Sequence, residues 1–132
     1  MSHVTGPFEV KVVGQKPDNP QAEKAKIDRR SLDKKFHGAL EAESQGEMLG
    51  AMTDVPGSGG YVAVERVTGT LDGKRGSFLL QHSSTMTRGV PKQHIFVIPD
   101  SGTSELTGLS GTMTIRIESG GAHSYEFEYT IE

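Results

Sequence analysis

Cysteine is absent from the chain, which excludes disulfides, thiolate metal sites and cysteine nucleophiles together. Tryptophan is absent too, and only 6% of the 132 residues are aromatic. No apolar run approaches the ~18 residues of a membrane span, so no membrane partner is expected. Met1 to Pro7 lacks the apolar stretch of a secretory signal, which sets a cytoplasmic expectation. A basic excess is also missing: 14 Lys and Arg stand against 17 Asp and Glu, for a net charge of −3. That balance removes the usual electrostatic footprint of nucleic-acid binding. Leu, Ile, Val and Phe amount to 29 residues, just above the ~20% below which disorder is the default. Residues 1–132 are therefore expected to form one domain with an economical core.

Glycine is abundant, at 17 residues, and has no Gly-X-Y period. It favours turns over long helices. Between the turns, apolar and polar residues alternate with the period of strands. Phe8 to Val13 places Phe8, Val10 and Val12 on one face, and Pro17 to Pro20 ends the run in a loop. Residues 22–36 have a helix former's composition but only a thin apolar stripe, Ile27, Leu32 and Phe36. They are read as a strand over 27–36, with a helical turn over 22–26 left open. Further strands are expected over 39–49, 61–71, 74–84, 93–98, 112–118 and 124–131, with Gly108 to Gly111 as a tight corner. The last carries an aromatic stripe, Tyr125, Phe127 and Tyr129, expected to be buried, with Tyr125 and Tyr129 hydroxyls available to a cavity.

Asp72-Gly73 lies between two β-rich runs and marks a type I′ hairpin, whose turn residues both need positive φ. With those two as the turn, Val67 faces Phe78, Glu65 faces Leu80 and Ala63 faces His82. Glu65 and His82 become diagonal neighbours on one face, each interrupting an otherwise apolar frame. Eight strands with no secure helix imply an all-β fold, and closure removes exposed edges. An eight-stranded antiparallel closed β-barrel is thus expected in preference to a sandwich.

The ordered blocks Val64-Glu65-Arg66-Val67-Thr68-Gly69-Thr70-Leu71-Asp72-Gly73, Gly76 to Ser83 and Pro99 to Gly111 resemble the bacterial family catalogued as domain of unknown function 3224. So do Gly6 to Lys11 and Phe36 to Ser44, and the resemblance covers nearly the whole chain. It implies a barrel similar to plant allene oxide cyclase, commonly assembled into homo-oligomers. That enzyme shapes an unstable epoxide into a ring inside an apolar lumen, with a carboxylate and a bound water assisting. The family itself has no established reaction. Many relatives carry a Trp in the sixth strand, where this chain has His94-Ile95-Phe96.

Glu65 and His82 are the candidate catalytic residues. A carboxylate that orients an imidazole leaves the second ring nitrogen as a general base or ligand contact; the structural alternative is a satisfied buried pair that fixes register. Tyr61, Phe78, Gln81 and Phe96 are the expected contacts of an apolar small molecule. Ser83 and Ser84 lack the Gly-x-Ser-x-Gly elbow of a serine hydrolase. The five histidines lack metal-binding spacing, which leaves open only that different strands bring His37, His82 and His94 together. No metal or cofactor is expected. Lys24, Lys26, Arg29, Arg30, Lys34 and Lys35 form the one basic stretch, read as a solvated strand face. Gly57 to Gly60 is a flexible loop without the lysine of a phosphate-binding loop. The leading expectation is a small-molecule-binding barrel, with a cofactor-free isomerase or cyclase as its catalytic form. The competing one is a non-catalytic interaction module with a side-chain-filled interior.

Overall fold

A computed structural model describes residues 1–132. Nine strands are present: β1 (Ser2–Gln15), β2 (Asp28–Phe36), β3 (Leu40–Met52), β4 (Gly59–Leu71), β5 (Lys74–Thr87), β6 (Val90–Lys92), β7 (Ile95–Val97), β8 (Leu109–Ile117) and β9 (His123–Ile131). Their lateral order is β4-β3-β2-β1-β9-β8-β7-β5-β6, and β4 also pairs with β5. That pairing closes an antiparallel barrel of eight strands. β6 stands outside the ring, pairing only with the last residues of β5. No helix is long and apolar enough to cross a membrane.

Alternation and turn chemistry account for most of this plan. Asp72 and Gly73 have φ of 49° and 82°, and the β4–β5 ladder runs from Gly59 opposite Met86 to Leu71 opposite Lys74. The register expected from the turn is therefore the one adopted. Residues 20–26 form hydrogen-bonded turns, with Ala25 N–H donating to the Gln21 carbonyl at 3.0 Å, and no helix develops. β1 begins six residues before Phe8, the first residue of the expected strand, and passes through Gly6-Pro7. A Cβ at Gly6 would stand 2.2 Å from the His37 carbonyl oxygen, so glycine there permits close contact between chain segments. β8 likewise starts at Leu109, so Ser110 and Gly111 belong to a strand and not to a corner. A single 3-10 turn, Ser104–Leu106, precedes it and buries Leu106.

Burial is graded along the barrel axis. Near the turns at 37–39 and 72–73 the interior is packed solid by Phe36, Leu40, Leu71, Phe78, Leu106 and Phe127. Phe78 stacks on Phe127 at 5.8 Å between ring centroids, and Phe36 meets Tyr125 edge-on at 5.6 Å. Moving along β1 to β5 toward the opposite end, inward-facing residues become progressively exposed. Val12, Met52 and Met86 are 46%, 60% and 40% exposed and Arg30 is exposed too, while Met48 and Tyr61 are half-buried. The barrel thus has one closed end and one open mouth.

Candidate functional site

The floor of the mouth is polar. Glu65 on β4 points inward at a position where its β3 partner is Gly46. A Cβ on Gly46 would lie 2.5 Å from the Val64 carbonyl oxygen and 2.7 Å from Glu65 Cβ, so the missing side chain makes room for the carboxylate. Three donors converge on it. Ser44 Oγ donates to Oε1 at 2.7 Å, Lys34 Nζ to Oε2 at 2.8 Å, and His82 Nε2 lies 2.6 Å from Oε2. All four side chains are buried, with Lys34 only 6% exposed. Lys34 also lies 5.4 and 5.8 Å from the ring centroids of Phe8 and Phe36, which favours a cation over their faces.

Burial acts to raise the Glu65 carboxyl pKa, because it penalises the charged form. The His82 hydrogen bond and the neighbouring Lys34 and His82 charges outweigh it and bring the value down to about 2. Glu65 is therefore a fixed anion, and in the neutral form of the imidazole an anionic acceptor at Nε2 selects the tautomer that carries its proton there. His82 Nδ1 then retains its lone pair. Nδ1 has no hydrogen-bond partner within the protein, and neither does Ser84 Oγ, two residues further along the same face of β5. Tyr61, opposite Ser84, places its ring 6.3 Å from that of His82. Buried polar atoms are nearly always paired, so two unpaired ones on the interior face of β5 mark a place for a bound water or a ligand.

Of the residues singled out in the sequence, Glu65, His82 and Tyr61 are brought together here. Phe78 lies on the same interior face but packs in the closed end against Phe127. Gln81 and Phe96 oppose each other across β5 and β7 on the outer wall, away from the lumen. The Tyr125 hydroxyl donates to the His37 carbonyl at 2.8 Å and accepts from Leu40 N–H at 3.1 Å, and Tyr129 donates to Asp72. Both hydroxyls therefore brace turns. His37 lies beside Glu9 and Glu41 at the surface, and no group of three or more His, Asp or Glu is placed to hold a metal ion.

Two members of the site escaped the sequence reading. Lys34 was assigned with its neighbours to a solvated face, yet Leu32, Lys34 and Phe36 share the inward phase of β2. A lysine interrupting an apolar frame was the available signal, the same one that exposed Glu65 and His82. Ser44 follows Leu40 and Ala42 in the inward phase of β3, but a serine there carries no distinctive signal.

Comparison with known proteins agrees with this architecture. A family model described as "Protein of unknown function (DUF3224)" matches residues 4–129. The chain belongs to the DUF3224 family. A crystal structure of a DUF3224 protein of unknown function from Shewanella oneidensis MR-1 is similar at 50% identity and a TM-score of 0.91, covering 100% of this chain and 98% of that one. No curated protein of known function matches. The DUF3224 assignment carries a fold and no reaction, so function has to be argued from the mouth itself.

Proposed function

We propose that the barrel binds a small, largely apolar molecule at its open end, with a hydroxyl or carbonyl group turned toward His82 and Ser84. The observation that carries this reading is the pair of buried, unpartnered atoms, His82 Nδ1 and Ser84 Oγ, beneath a rim of Val12, Met48, Tyr61 and Met86. Methionine side chains adapt to irregular apolar shapes, which suits such a rim. A donor on the ligand meets the Nδ1 lone pair, while the Ser84 hydroxyl either donates or accepts.

The same arrangement supports a cofactor-free isomerisation. Nδ1 takes a proton from a carbon beside the ligand's carbonyl group, Ser84 donates a hydrogen bond to the carbonyl oxygen, and the proton returns at a different carbon. Glu65, kept ionised, stabilises the imidazolium formed between the two transfers. No electrons are gained or lost, so no redox partner is required.

Native mass spectrometry of freshly purified protein tests the binding step. The expected result is a retained small-molecule adduct that is depleted in Ser84→Ala, a change that removes only an unpaired hydroxyl. Absence of an adduct, together with no resonance shifts at Tyr61, His82 or Ser84 on titration with small apolar alcohols and ketones, would overturn the proposal.

A further inference from the structure

A second feature lies on the outside of the barrel and is independent of the mouth. The connection between β1 and β2 and the outer face of β3 to β5 enclose a groove of about 1050 Å³. Ligand sites commonly occupy ~300–1,000 Å³, so the space suits a small molecule. Its apolar surface comes from Ile27 on the connection and from Leu49, Val62, Val64 and Leu79 on three adjacent strands. Leu49, Val62 and Val64 are 46%, 53% and 47% exposed.

The exposure contradicts the local sequence pattern. Tyr61-Val62-Ala63-Val64 is apolar on both faces, as in a strand covered on both sides, whereas a barrel strand facing water should alternate. Something apolar is therefore suited to the outer side of β4.

The groove's charges say what kind of molecule. Arg29 is fully engaged: it donates to Glu47 at 2.5 Å and to the Lys16 carbonyl at 3.0 Å, and lies 3.6 Å from Asp18. These contacts also satisfy the two lining carboxylates. Arg66 lines the same groove and has neither an ion pair nor a side-chain hydrogen bond within the chain. It stands between Gln45 on β3 and Leu79 on β5 in the ladder, with Val64 two residues along its own outer face. One free guanidinium beside an apolar floor complements a single carboxylate on an aliphatic chain, because a planar fork of donors matches both oxygens.

We infer that this outer groove is a binding site for an aliphatic carboxylate, with Arg66 holding the carboxylate and the chain lying over Val64, Val62 and Leu49. It needs no contribution from Glu65, Ser84 or the unpaired His82 Nδ1, so it stands or falls separately from the proposal for the mouth.

Titration of the full-length protein with decanoate, followed by amide NMR and calorimetry, tests the assignment, with decanol as the uncharged control. The expected outcome is saturable decanoate binding that shifts Leu49, Val64, Arg66 and Leu79, with decanol at least tenfold weaker. Arg66→Gln should weaken decanoate by about tenfold or more and leave decanol unchanged, Val64→Glu should weaken both, and Ser84→Ala should alter neither. The inference is overturned by equal affinities for the two probes or by an unaltered decanoate affinity in Arg66→Gln. It is also overturned by shifts confined to Tyr61 and Ser84, or by the absence of saturable binding. Sedimentation velocity supplies a further check: a dimer that dissociates in Val64→Glu would assign the face to a second copy of the chain and overturn the small-molecule reading.

Discussion

Replacing Lys34 with methionine isolates the electrostatics of the mouth, because the new side chain keeps an apolar stem against Phe8 and Phe36 while deleting the charge. Lys34 and Glu65 side chains are 5% and 0% exposed, so solvent screens their interaction little. Depression of the Glu65 pKa from 4.5 to about 2 corresponds to stabilisation on the order of 3 kcal/mol at neutral pH. Because the folded value is the lower one, that contribution is complete above about pH 4.5 and is lost as pH falls through about 2. Removing the cation strands a buried carboxylate with Ser44 and His82 alone, and breaking such a pair costs about 3–5 kcal/mol. Against a total stability of about 5–15 kcal/mol, urea unfolding at pH 7 should show a large fall in midpoint for Lys34→Met. Glu65→Gln should be comparably costly, whereas the double variant should recover at least about 2 kcal/mol of the summed loss. The wild-type loss of stability between pH 4.5 and 2 should also flatten in Lys34→Met. A cost below about 1 kcal/mol for Lys34→Met, or strict additivity in the cycle, would refute the reasoning.

Other parts of the barrel give sharp expectations. β7 and β8 share one paired position, Phe96 opposite Thr112, and the Gln93 side chain bridges the seam by exchanging two hydrogen bonds with the Ile115 backbone at 2.9 and 3.0 Å. Gln93→Ala should cost about 1–3 kcal/mol and accelerate hydrogen exchange at the Ile115 amide; unchanged exchange there would show that the amide does not close the seam. Gly46→Ala should destabilise by about 1–3 kcal/mol or more in thermal unfolding, since the new methyl meets Val64 and Glu65 backbone and Cβ atoms that cannot move freely, and wild-type stability would contradict this packing. Tyr125→Phe should lose about 1–3 kcal/mol in the same assay by leaving the His37 carbonyl and Leu40 N–H without their hydroxyl partner, and a neutral effect would mean that other groups satisfy them.

Local rules made much of this structure legible. Period-two alternation located the strands, and the positive φ required at Asp72 and Gly73 set a ladder in which Glu65 and His82 meet. Lys34 was harder because the helix-like composition around it obscured the inward frame of Leu32 and Phe36. The convergence of Lys34 and Ser44 on Glu65 joins three strands, and the sequence separation of 31 residues between Lys34 and Glu65 leaves no local trace. β1 extends beyond its expected start at Phe8 into a segment where Gly6 permits close contact with His37. The outer groove depends on where the connection between β1 and β2 lies, which alternation within strands does not encode.

The reading of the mouth rests on one proton. Nitrogen-15 NMR of the histidine rings at neutral pH, with the His82 signals assigned by their loss in His82→Asn, reports its position directly. The expected spectrum has a protonated Nε2 bonded to Glu65 and a bare Nδ1 whose resonance moves when a small alcohol or ketone binds. A protonated Nδ1 at neutral pH, or a bare Nδ1 that no such ligand perturbs, would contradict the proposed base and ligand contact.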